Sequence, residues 1–94
     1  MTDILIEPHR IVLDGHAGDK VVCAALSALT ETFIASVEEL THDKIKSYVI
    51  DGYACIRHED LTAEGQLLRR SFLIGLHGVA NAAPDNINIS QTER

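Results

Sequence analysis

Tryptophan is absent from this sequence, and the only aromatic residues are two tyrosines and two phenylalanines, 4% of the chain. Basic residues are scarce as well: eight lysines and arginines face fourteen acidic residues, for a net charge of −6 with histidine neutral. A surface this acidic, with few rings on which bases could stack, argues against nucleic acid as the main ligand. Cysteine is limited to Cys23 and Cys55. Two thiols do not make the framework of a disulfide-held mini-protein, and in a reducing compartment a lone cysteine is either packing or chemistry. No internal repeat, linker or low-complexity stretch is present. No uninterrupted apolar run approaches the ~18 residues of a membrane span. The opening Met1-Thr2-Asp3-Ile4-Leu5-Ile6-Glu7 lacks the basic start and long apolar centre of a secretory signal. A cytoplasmic protein without a membrane partner is expected.

What remains suits one small domain spanning residues 1–94, with 46% hydrophobic and 23% charged residues. A chain of this size buries roughly 60–65% of its unfolded surface, enough for a thin core. Short apolar runs at 3–6 and 10–14, separated by Pro8 and His9, predict two strands joined by a turn. Val22, Leu26, Leu29, Phe33, Val37 and Leu40 then recur at helical spacing, with Asp19 as N-cap and an end near Leu40. Ala24, Ala25 and Ala28 leave an inner face that another backbone could approach. Alternating segments at 44–50 and 53–58 flank Asp51-Gly52, the mark of a type I′ hairpin. A second helix starts near Leu61 or Thr62 and is stopped by Pro84, and Ile87-Asn88-Ile89 suggests a closing strand. Gly75 and Gly78 inside that helix predict close packing or an early helix end. The fold class is α+β, ββαββαβ, with two helices packed on one face of a mostly antiparallel sheet.

Chemistry concentrates between Gly15 and Ser27. A thiolate is favoured at a helix N-terminus and beside an imidazolium. Cys23 falls in the first turn of the predicted helix, and His16 sits on the loop before it, flanked by Gly15 and Gly18. Such a pair is an activated nucleophile with its acid–base partner, and amides at the helix start would suit a tetrahedral oxyanion. Spacing alone equally allows Cys23 to be one more small buried residue among Val22, Ala24 and Ala25.

Gly15-His16-Ala17 followed by Val22-Cys23-Ala24-Ala25-Leu26-Ser27-Ala28-Leu29 resembles the signature of the ribosomal-processing cysteine protease Prp family. The inferred element order agrees with that family's fold. The resemblance implies that Cys23 is the nucleophile and His16 the general base, with Ser27, one turn below Cys23, as a supporting polar group. It implies a peptide substrate: a short N-terminal extension of a large-subunit ribosomal protein, cut after a hydrophobic, Phe-rich sequence, or a related phage capsid or scaffold protein. It implies a homodimer and no cofactor. Two features depart from the family pattern. Only six residues separate His16 from Cys23, which reduces any lid, and Lys20 stands where the family usually has Asp. Lys20 favours a thiolate but cannot orient His16; Asp19, one residue earlier, is the available carboxylate. A catalytically silent peptide-binding or assembly module of the same fold is the alternative, and a dimeric scaffold with Cys23 in its core is another.

The other histidines (His9, His42, His58, His77) form no C-x-x-C or H-x-x-x-H spacing, so they read as scattered surface residues and no metal is expected. Cys55 reads as a packed strand residue. Arg69-Arg70 and Glu38-Glu39 read as solvated helix faces. Asp51-Gly52 reads as a turn requirement.

Overall fold

The computed structural model describes residues 1–92. Along the chain run β1 (Thr2–Glu7), β2 (Arg10–Asp14), α1 (Lys20–Leu40), β3 (Ile45–Ile50), β4 (Tyr53–His58), α2 (Ala63–Ala82) and β5 (Ile87–Gln91). This is the ββαββαβ order that the sequence implied.

The strands form one sheet in the order β3-β4-β2-β1-β5. Every pairing is antiparallel except β1 with β5, whose partners run from Thr2↔Ile87 to Ile6↔Gln91. Alternation decides which face is covered, because successive strand residues point to opposite sides. Ile4, Ile6, Ile11 and Ile56 are fully buried on the helix-covered side, with Leu13 and Ala54 beside them. The helices meet over this face: Phe33 of α1 and Phe72 of α2 stack with ring centroids 4.8 Å apart.

Asp19 caps α1 by accepting from the amides of Val21 and Val22 at 2.8 and 3.1 Å. Leu26, Phe33 and Val37 of the expected stripe are buried, joined by Thr30, whose hydroxyl donates to the Leu26 carbonyl at 2.8 Å. The stripe does not hold to its end. Leu40 is 69% exposed, because the last turn of α1 has passed beyond the core together with Glu38 and Glu39. At 21 residues α1 is also long and apolar enough to cross a membrane by length and composition alone. Its alanines raise the hydropathy, while Leu26, Phe33 and Val37 are buried in the core.

Thr62 caps α2, as the second helix start required, by accepting from the Gly65 amide. Asp43, in the link before β3, receives both the amide and the hydroxyl of Thr62. Gly75 is needed for packing, since a Cβ there would lie 2.8 Å from Leu29 Cδ2. Gly78 is not: nothing lies within 4 Å of its missing Cβ. It borders an open groove with Ala25 and Ala28, so the alanine face of α1 is only partly covered.

The β3–β4 hairpin forms at the expected place with a different turn. Gly52 has φ +78°, while no residue other than glycine has positive φ. Asp51 is therefore at negative φ, which excludes type I′ and leaves the single left-handed position of type II.

Candidate active site

One end of the sheet carries a cleft between the first half of α1 and the β3–β4 hairpin. Cys23, Ser27, Thr30 and Glu31 line it from the helix, and Val49, Ile50, Asp51 and Gly52 from the hairpin. Leu13 and Ala54 contribute apolar lining from the sheet, and Gly15 and His16 close one end.

Each side chain is placed by its backbone. Cys23 is the fourth residue of α1, half-buried, with its amide bonded to the Asp19 carbonyl at 3.0 Å. His16 follows Gly15, whose φ of +98° turns the chain out of β2. The Gly15 amide donates to the Gly52 carbonyl at 2.8 Å, and the Thr2 hydroxyl donates to the Gly15 carbonyl at 2.9 Å. The histidine loop is thus tied to the tip of the hairpin. The imidazole lies against Gly52, where an added Cβ would sit 2.7 Å from Nε2. The Asp51 carboxylate stands 3.6 Å from the same nitrogen, an ion-pair distance longer than a hydrogen bond. His16 and Asp51 side chains are 62% and 97% exposed, so solvent screens their attraction.

The structure therefore brings Cys23, His16, Ser27 and Gly15 to one cleft and leaves Asp19 outside it. The Asp19 carboxylate is engaged in capping and borders the groove between the two helices instead. Among the described residues no hydrogen bond joins the Cys23 thiol to His16; such contacts commonly tighten only when substrate is bound. Of the amides expected to suit an oxyanion, those of Val21, Val22 and Cys23 are already bonded to Asp19. Asp51 and Gly52 carried only a turn signal in the sequence. Their place beside His16 depends on the Gly15–Gly52 hydrogen bond between segments far apart in the chain, which no local pattern encodes.

Other polar candidates lie elsewhere. Cys55 is 8% exposed in mid-strand, a packed residue as expected. Beside it the Tyr53 hydroxyl is pushed above its usual range by desolvation, reinforced by the Cys55 thiol. His58 is not a surface histidine: it is 7% exposed, with Nδ1 2.8 Å from the Glu59 carbonyl. Arg69 is likewise no solvated residue, since its guanidinium donates to the Glu7 carbonyl at 2.6 Å.

The family model for cysteine protease Prp matches residues 3–88, which include Cys23, His16 and every other cleft residue except Thr2. The chain belongs to the Prp family. It is a cysteine protease, and its fold is that of solved Prp structures. The S. aureus ribosomal processing protease Prp, solved with a covalently linked product peptide, matches with TM-score 0.85 and 25% identity over 97% of each chain. A second S. aureus Prp structure, solved with a substrate peptide, matches with TM-score 0.84 and 23% identity over 97% of each chain. SMU.848 from Streptococcus mutans matches with TM-score 0.76 and 25% identity, over 99% of this chain and 93% of that one. No curated protein matches the sequence.

Proposed function

We propose that residues 1–94 act as a single Prp-like protease domain in which Cys23 is the nucleophile and His16 the general base. The observation that carries this is the meeting of Cys23 and His16 in one cleft of a Prp-family chain. His16 takes the proton of the Cys23 thiol, and the thiolate adds to the scissile carbonyl carbon. The C–N bond then breaks as His16 returns that proton to the leaving amine, giving a thioester. His16 next removes a proton from water, whose oxygen displaces the thiolate, and Cys23 is reprotonated. Gly15 and Gly52 hold the imidazole in place, Ser27 supplies a hydroxyl on the cleft wall, and Asp19 supports Cys23 by fixing the start of its helix. Asp51 stands beside the ring, 3.6 Å from Nε2.

The substrate is a peptide segment of another protein. The S. aureus relative is described as a ribosomal processing protease and was solved with peptides. With the sequence signature, this supports an N-terminal extension of a large-subunit ribosomal protein as substrate, cut after a hydrophobic sequence, or a related phage capsid or scaffold protein. An acidic chain of net charge −6 favours encounter with basic ribosomal proteins. The enzyme works in the cytoplasm as a homodimer.

A peptide panel built on Phe-rich ribosomal extensions and capsid-protein N-termini tests this reading, with mass spectrometry locating the cuts. Cleavage by the wild type that disappears in both Cys23→Ser and His16→Ala is the expected result. A wild type that binds peptides but cuts none would turn the assignment to a silent binding module.

A further inference from the structure

The cleft wall opposite Cys23 is built from an edge strand, since β3 ends the sheet. Such a strand presents a row of unpaired backbone amides and carbonyls unless something covers it. Lys46 to Ile50 are all exposed, including Tyr48 at 60%, Val49 at 52% and Ile50 at 53%.

Which groups face outward follows from the hairpin. Ile50 and Tyr53 flank a two-residue turn and are register partners, so they form a hydrogen-bonded pair. Parity then alternates along the strand: Ile50, Tyr48 and Lys46 bond to β4, while Val49 and Ser47 turn their amides and carbonyls to the free edge. An independent contact agrees. The His58 amide donates to the His9 carbonyl at the β2 side of β4, so Arg57, Cys55 and Tyr53 serve the β3 side. The side chain of Val49, paired with buried Ala54, points to the helix-covered face and lines the cleft. The reach of the two walls also agrees. From Cys23 to Glu31, α1 spans about 12 Å, the length of roughly four extended residues.

We propose that the peptide substrate binds as a sixth strand on the free edge of β3, its backbone bonded to the amide and carbonyl of Val49 and of Ser47. This rests on the protease reading and adds how the substrate is held. The occupant follows from continuity: the exposed edge runs directly into the cleft that holds Cys23 and His16. Main-chain bonds supply affinity without regard to sequence, and alternate side chains are read. Substrate residues on the Val49 parity point into the cleft, against Leu26 and Thr30, with the Glu31 carboxylate on the same wall. The intervening residues lie on the Tyr48 side, away from the helices.

The test uses the full chain and a peptide that the wild type cuts. Each residue within four of the scissile bond is N-methylated in turn, which removes one donor at a time. Losses in kcat/KM of about tenfold at alternate residues only are expected from a period-two ladder. Val49→Pro removes an outward donor and should raise KM about tenfold with an unchanged thermal midpoint, because edge strands tolerate proline. Tyr48→Pro removes a ladder donor to β4 and should lower the midpoint. A flat N-methyl scan overturns the edge pairing and leaves the protease reading intact. So does a folded Val49→Pro variant that keeps its KM, or one that merely converts a dimer to monomer by light scattering. Should Val49→Pro fail to fold, the N-methyl scan decides alone. Absence of any wild-type cleavage removes the protease reading itself, and this inference with it.

Discussion

The two ends of the sheet carry the same kinds of residue and use them oppositely. At one end His16 is 62% exposed, its ring against a glycine and near a fully solvated carboxylate. At the other end His58 is 7% exposed, its Nδ1 set against the Glu59 carbonyl, with the His9 ring edge-on at 5.8 Å. There Arg69 of α2 reaches the Glu7 carbonyl of β1, and Arg10 pairs with Glu7, which raises the guanidinium's affinity for its proton. Burial, with a ring contact to His9 from another part of the chain, makes His58 part of the scaffold. A histidine on a loop pinned by its backbone keeps its ring nitrogens available for proton transfer. Rigid support beneath an exposed side chain is what separates a site from a staple.

The largest expected effect sharpens this contrast. Cys23→Ser and His16→Ala should each lower peptide cleavage by at least about a thousandfold while thermal unfolding stays as in the wild type. His58→Ala should do the reverse, costing about 2 kcal/mol of stability through the cavity it leaves, with kcat/KM changed less than about twofold. Equal losses of activity and stability in both histidine variants would erase the distinction between the two ends. Next comes Gly52→Ala, which forces a Cβ onto His16 Nε2 at a left-handed φ of +78°. It should reduce kcat about ten- to a hundredfold, seen in single-turnover cleavage, because the ring must shift by a sizeable part of an ångström. The two thiols offer a smaller test. Iodoacetamide should label half-buried Cys23 about tenfold faster than Cys55, located by peptide mapping; equal rates would mean that the cleft gives its thiol no advantage. The smallest effect belongs to Asp51→Asn, a loss of about two- to threefold that fades as salt is added. A hundredfold loss there would make Asp51 a full member of the site.

Much of this architecture was legible locally. The α1 stripe, the Asp19 cap, the start of the second helix near Thr62, the Asp51-Gly52 turn and the stop at Pro84 each rest on rules that act within a few residues. The Gly15–Leu29 motif pointed to the cleft because its loop and helix are adjacent in sequence. Features that depend on what packs from elsewhere were not legible. The periodicity of α1 could not show that Leu40 lies past the core, nor that Thr30 is buried with its hydroxyl satisfied within the helix. His58 owes part of its cover to His9 in the β1–β2 turn, far from it in the sequence. The Asp-Gly pair marked a hairpin, but the turn type was settled by the conformation of Asp51. Nothing local told that this tip would support His16.

The start of the chain has a consequence for anyone handling the protein. A Cβ on Gly15 would meet the Met1 carbonyl at 2.6 Å, and the Thr2 hydroxyl holds the Gly15 carbonyl. The first two residues therefore form the backing of the histidine loop, whereas β5, parallel to β1, delivers Gln91 beside Ile6 at the opposite end of the sheet. A purification tag fused ahead of Met1 begins next to the proposed active-site cleft, where it can crowd the loop or compete as a tethered peptide. Assays of this enzyme belong on C-terminally tagged or tag-free material.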